Sequence, residues 1–303
     1  MSKSLHESAG LQSRRRGSAM TRARDTAGPA HAPVSRFFDG SPRLHYLEWH
    51  PHGSRTLILL HGGSANAWWW QALAESIAPK FRLLALDQRG HGESQAVKPP
   101  RYRPEDYARD LARFVKHCRF GHAIVVGHSM GGINALAFAN HHPETVRAVI
   151  VVDAPLTSSP RRDHFLRRLT GLPVVIYPDL ETAKARFRLM PREGDIPAQT
   201  VAAIAEHSLA RMPDGRYTLK FDRQSFVGED GLHVLDAIRT VRAPVLLIRG
   251  ELSKLMTVDA VQRAIESNPL VRLVTIPRAH HHILLERPEP LARAIERFVD
   301  DLA

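Results

Sequence analysis

Cysteine is nearly absent: Cys118 is the only one in 303 residues. No intramolecular disulfide can form, which fits a reducing compartment, and we expect a cytoplasmic protein. Long apolar runs are missing too. None approaches 18 residues, so no membrane span is expected. Lysine is scarce: of 42 basic residues seven are lysine, which leaves 35 arginines. Against 31 acidic residues this gives a formal net charge of +11. Such a balance can draw a chain to nucleic acid, anionic membranes or acidic substrates. The arginines are scattered, however, with no aromatic-interleaved basic stripe and no recognisable nucleic-acid module. The expected partner is a small-molecule substrate rather than nucleic acid. No internal repeat is present, and nothing in the sequence sets the oligomeric state.

Large apolar side chains are also sparse in residues 1–34, which are rich in Ser, Ala and Arg. Lys3, Arg14, Arg15, Arg16, Arg22 and Arg24 stand against Glu7 and Asp25. Such a segment cannot bury enough surface to offset the entropy of ordering, so 1–34 is expected to be a disordered basic tail. The arginine triplet is followed by no apolar stretch, which argues against an export signal. Met20 is a candidate alternative start.

From about Ser41 the pattern changes. Apolar runs at 55–63, 81–87, 122–129, 147–155, 243–250 and 271–277 read as strands. They lack polar alternation, as strands covered on both faces do in a parallel sheet. Segments 67–78, 104–118, 130–142 and 288–302 have helical spacing. Pro104 followed by two acids marks a helix N-terminus. The alternation predicts a doubly wound, mostly parallel α/β fold, with 42–50 as an earlier strand. The interval 155–240 breaks the rhythm. It holds several amphipathic helical patterns and one strand-like piece at 215–222, and a structureless loop of that length would be unusual. It is expected to be a helical cap inserted into a core formed by 35–154 and 241–303. The cap carries Arg161, Arg162, Arg167, Arg168, Arg186 and Arg188, read mainly as a solvated face.

The chemistry concentrates in three places. Gly127-His128-Ser129-Met130-Gly131 is a G-x-S-x-G pattern between a strand and a helix. A serine on that sharp turn is strained and exposed, and the flanking glycines remove side chains that would clash. The helix behind it offers N–H groups to negative charge. His61-Gly62-Gly63 ends an earlier strand, so Gly63 N–H and Met130 N–H are the candidate oxyanion-hole donors. His280, His281 and His282 supply one catalytic base. Adjacent histidines share no helix face and match no standard zinc spacing, so no metal is expected. The residues alone do not choose among the three.

Taken together, "LLHGG", "LDQRGHGES", "VVGHSMGG", "PVLLIRG" and "IPRAHHHILLERPE" resemble, in order and spacing, the cap-bearing branch of the α/β-hydrolase superfamily. The resemblance covers about 41–302. It implies that His281 is the base, five residues before Glu286 of "ERPE", and that Asp87 is structural. Ser129 stands where haloalkane dehalogenases and epoxide hydrolases of this fold have aspartate. That implies acyl chemistry, with esters, lactones, amides or carbon–carbon bonds as targets, and no metal or organic cofactor. A non-catalytic binding protein on the same scaffold is the reading from another class.

The resemblance also exposes a departure. Family members commonly carry the acid three or four residues past the glycine of the strand corresponding to Val245–Arg249. Here those positions are Ser253 and Lys254. Asp153, one strand earlier, is implied as the acid by the resemblance to some haloalkane dehalogenases of this fold, whose acid occupies that strand end, and neighbouring parallel strands do end on one rim. Glu251 is the alternative, and a site with no acid is the third reading.

Overall fold

The computed structural model describes residues 32–229 and 233–302, and side chains are described outside 227–229. Apart from residues 32–34, the expected tail lies outside the described residues.

Eleven strands are present among the described residues: β1 (Val34–Phe38), β2 (Leu44–Trp49), β3 (Arg55–Leu60), β4 (Phe81–Leu86), β5 (Ala123–His128), β6 (Val146–Val152), β7 (Ile176–Tyr177), β8 (Leu209–Arg211), β9 (Tyr217–Leu219), β10 (Val245–Gly250) and β11 (Val271–Ile276). Eight form one sheet in the order β1-β2-β4-β3-β5-β6-β10-β11. The β1–β2 and β2–β4 pairs are antiparallel, and every other pair is parallel. The fold is the expected mostly parallel α/β sheet.

The apolar runs explain themselves through the pleat. Leu57, Leu59, Val126 and Ile150 belong to one buried cluster, while Ile58, Leu60, Val125 and Val149 belong to another. Successive side chains point to opposite faces, and helices cover both. The helices are α1 (Gln71–Ser76), α2 (Pro104–His117), α3 (Met130–His141), α4 (Pro160–Gly171), α5 (Leu180–Arg186), α6 (Ala198–Ser208), α7 (Val234–Thr240), α8 (Val258–Ser267), α9 (Ile283–Glu286) and α10 (Pro288–Asp300). Among the described residues no helix is long and apolar enough to cross a membrane. Helix α2 begins as its sequence indicates, with Pro104 in the first turn and the Asp106 carboxylate accepting from the Arg103 N–H at 3.0 Å.

Three local readings change. Strand β1 begins at Val34, the last residue of the expected tail. The expected helix at 67–78 is split: Ala67–Trp70 is a 3₁₀ turn capped by Asn66, and α1 follows it. Trp69 and Trp70 are buried, whereas Trp68 stacks on His207 of α6 at 3.6 Å between ring centroids. The segment between β6 and β10 holds α4 to α7 and a small antiparallel sheet, β7-β9-β8. Phe187, Leu189, Ile204 and Ala205 join it to the apolar cluster on one sheet face. Helix α7, at the end of the expected cap, packs its Val234 and Ile238 into the cluster on the other face, with α3 and α8.

Candidate functional site

Strand register brings the site together. His128 of β5 pairs with Val152 of β6, and Val152 pairs with Ile248 of β10. The next residues, Ser129 and Asp153, therefore emerge side by side on one rim. The Ser129 N–H donates to Val152 O at 3.0 Å, and the Asp153 N–H to Ile248 O at 2.8 Å. On the far side of β10, Gly250 pairs with Ile276, five residues before His281.

Ser129 has φ 53° and ψ −121°. For a residue with a Cβ this conformation costs on the order of 1–3 kcal/mol, and it persists only where surrounding packing imposes it. The glycines show how. A Cβ at Gly127 would lie 2.1 Å from Gly131 O, and one at Gly131 would lie 2.2 Å from Leu60 O. Only glycine lets β5, α3 and the end of β3 approach this closely. A Cβ on Gly62 would lie 3.2 Å from the Ser129 Cβ, which places the His61-Gly62-Gly63 turn against the serine. His61 is fully buried. Its Nδ1–H donates to Gly62 O at 2.7 Å, and its Nε2 accepts from the Gln88 N–H at 3.0 Å. His61 thus fixes the shape of the turn that carries Gly63.

Asp153 is fully buried and also has a positive φ, 46°. Its Oδ2 accepts from His281 Nδ1 at 2.8 Å and from Ser253 Oγ at 2.5 Å, and its Oδ1 accepts from the Gly250 N–H at 3.1 Å. The expected acid and base therefore meet. Ser253 turns out to be a hydrogen-bond donor to the carboxylate one strand away. Glu251 is exposed, and its Oε2 accepts from the Arg278 N–H at 2.8 Å. Lys254 is exposed. Asp87 is buried as a structural hub that accepts from His45 Nδ1, the Ala67 N–H and the Glu93 N–H. Burial pushes its carboxyl up, but the His45 hydrogen bond and the neighbouring histidines hold it below the ordinary carboxylate range.

Sequence reasoning missed several contacts that hold His281. His128 Nε2–H donates to His281 O at 3.0 Å, and the rings lie 4.6 Å apart. Glu193 Oε1, in the insertion, accepts from the His281 N–H at 3.1 Å. Pro191 O accepts from His282 Nε2 at 3.0 Å. Gly194, at φ 86°, abuts Glu286, where a Cβ would lie 2.4 Å from the carboxyl carbon. The strap 191–194 thus clamps the histidine loop. His280 pairs instead with Glu286. Only the sequence separations hid these partners, since each residue is unremarkable in its own neighbourhood.

Burial keeps several histidines neutral. It lowers His282 to about 3, with His281 nearby as a second cause. It also lowers His91 to about 3, with His61 adding to the effect. Both pKa values lie below the unfolded value near 6.5. Their contribution to stability is therefore present above about pH 6.5 and is lost as pH falls toward 3, where the unfolded chain binds protons that the folded one does not. Each group can remove up to about 1.4 kcal/mol per pH unit in that window. We expect urea midpoints to fall steadily from pH 6.5 to 4.5, and a flat profile there would contradict neutral, buried histidines.

A profile of the α/β hydrolase fold matches residues 55–288, most of the chain. The chain belongs to the α/β-hydrolase family. This hydrolase is 32% identical over 252 residues to 2-(acetamidomethylene)succinate hydrolase of Mesorhizobium japonicum, covering 82% of its own length and 89% of the relative's. A solved structure titled E-2-(acetamidomethylene)succinate hydrolase superposes with a TM-score of 0.78 at 30% identity, covering 88% of this chain and 99% of that one. The hydrolase is also 28% identical over 288 residues to 2-hydroxy-6-oxo-6-(2'-aminophenyl)hexa-2,4-dienoic acid hydrolase of Metapseudomonas resinovorans, covering 88% and 91% of the two chains. An esterase structure from Mycobacterium tuberculosis shares the fold, with a TM-score of 0.72 at 22% identity, covering 90% and 92% of the two chains.

Proposed function

We propose that this α/β hydrolase is a serine hydrolase of carboxylic esters or related acyl compounds, acting through a Ser129–His281–Asp153 triad. The observation that carries the reading is the buried 2.8 Å bond between His281 and Asp153, beside the strained Ser129. His281 donates Nδ1–H to Asp153, so its Nε2 carries the lone pair that takes the Ser129 proton. The Ser129 oxygen attacks the substrate carbonyl, and the N–H groups of Gly63 and Met130 receive the negative oxygen. His281 then returns the proton to the leaving group. Water, deprotonated by the same nitrogen, releases the acyl group from Ser129. Asp153 holds the ring orientation and stabilises the imidazolium that forms in each half-reaction. Ser253 and Gly250 N–H keep that carboxylate in place. Residues 155–240, less the core-packed α7, form the cap over this rim and shape the substrate pocket.

A second reading, cleavage of an acetamido enamide rather than an ester, draws on the 32% identity to the succinate-derivative hydrolase. Carbon–carbon bond and lactone hydrolysis use the same nucleophile, and a non-catalytic binding protein would need none of it. The test is turnover of p-nitrophenyl acetate and butyrate beside 2-(acetamidomethylene)succinate. The ester reading expects saturable hydrolysis of the short esters. Turnover of the acetamido compound alone supports the second reading, and turnover of neither, with Ser129 unreactive, contradicts an acyl-transfer enzyme.

A further inference from the structure

Three histidines converge beside the nucleophile, although their spacing in sequence gave no metal motif. His128 ends β5, and His281 and His282 lie in the loop after β11. One ring nitrogen of each lies within 4.8 Å of the others, and all three residues are buried. Their tautomers are fixed from outside. His128 Nε2–H is held by His281 O, His282 Nε2–H by Pro191 O, and His281 Nδ1–H by Asp153. That leaves the lone pairs on His128 Nδ1, His282 Nδ1 and His281 Nε2. Among the described residues, His128 Nδ1 and His282 Nδ1 are buried with no hydrogen-bond partner. A Cβ on Gly62 would lie 3.0 Å from His128 Nδ1 and 3.2 Å from the Ser129 Cβ, so this orphan nitrogen faces the serine's own space.

Buried polar atoms are normally satisfied, and two orphan acceptors in one cluster call for a ligand. We propose that His128, His281 and His282 form a site for a divalent transition-metal ion such as zinc or copper, and that its occupancy switches the hydrolase off.

The chemistry favours such an ion. Neutral imidazole is the form that binds metal, and the outward hydrogen bonds of His128 and His282 leave each ring one free acceptor nitrogen. Binding there displaces no proton from those rings. Each ring already has the outer acceptor that metal-bound histidines use: two carbonyls and a carboxylate. Tetrahedral zinc–nitrogen bonds of about 2.0–2.1 Å put ligand atoms about 3.4 Å apart, and with all three nitrogens within 4.8 Å of one another no separation has to close by more than about 1.4 Å. The ion takes the His281 lone pair, which leaves no base for the serine. The inhibitory consequence rests on the triad proposed above, whereas the binding does not.

Calorimetry with zinc, and the visible spectrum with cobalt, test the site on the full chain. We expect one ion per molecule and a tetrahedral cobalt spectrum. We also expect affinity to fall at least about tenfold, the smallest loss usual even for outer partners of a ligand, in each of His128→Asn and His282→Asn. Thermal melts identify any variant that fails to fold, and the other then decides. Fluorophosphonate labelling of Ser129 should stop with zinc and return with EDTA. Absence of binding to the wild type, or undiminished binding in the folded variants, overturns the site. If binding occurs but labelling is indifferent to zinc, the inhibition is overturned. If Ser129 is never labelled even without metal, the serine-hydrolase reading fails while calorimetry still decides the metal site.

Discussion

Ser129→Ala should abolish acyl turnover, lowering kcat by about 10⁶ with the fold intact. Removing the nucleophile of a triad costs about that much, since the remaining oxyanion donors and binding contacts supply only a residual acceleration. The large effect follows from geometry as well as chemistry. Ser129 sits at φ 53° between glycines whose Cβ positions are filled by backbone. The Ser253 hydroxyl cannot substitute, because its Oγ is committed to Asp153. The alanine variant keeps the backbone and loses only the oxygen, so circular dichroism and melting should match the wild type. Residual turnover within about tenfold of wild type, measured on the same ester, would remove Ser129 from the reaction, because a triad member cannot be lost so cheaply.

Asp153→Asn should lower kcat by about 10⁴, and Glu251→Gln should leave it within about threefold. An asparagine in place of a triad aspartate leaves the shape but forces the wrong histidine tautomer. At Asp153 this is acute, because the carboxylate already accepts from Ser253 Oγ and Gly250 N–H. The asparagine NH₂ would have to face donors. Among the described residues the Glu251 carboxylate holds the Arg278 N–H and is exposed, and exposed interactions of this kind contribute little. The reverse pattern, with Glu251→Gln inactive and Asp153→Asn active, would move the acid one strand over. Steady-state kinetics on purified, folded variants decides between them.

Much of the fold was legible because the central strands are buried on both faces. The runs around Leu57–Leu60 and Val149–Val152 therefore carry no polar residues to blur them. Strand β1 was not legible, since four of its five residues are exposed and it pairs only with β2. Strand β9 lies inside the strand-like piece at 215–222, whereas β7 and β8 have two and three residues, too few for an alternation to register. Helix α4 was legible as an amphipathic helical pattern, although it buries no residue.

The site divides in the same way. Ser129 is legible because strain demands glycines at fixed offsets. The choice of His281 over its neighbours needed the family spacing, and the structure adds a local reason: His280 is engaged by Glu286 and His282 by Pro191. Asp153 needed the family comparison as well, with the common rim of parallel strands making that placement reasonable. The contacts of His128, Glu193 and Ser253 bridge 153, 88 and 100 positions. They depend on register and on the path of the inserted strap, which no local pattern encodes.

The central claim is that Ser129 is an activated nucleophile, and a fluorophosphonate probe followed by peptide mass mapping tests it most directly. One covalent adduct on the peptide containing Ser129, slowed strongly in Asp153→Asn and absent in Ser129→Ala, is the predicted result. An unlabelled, folded wild-type protein, or an adduct on any other residue, would contradict it.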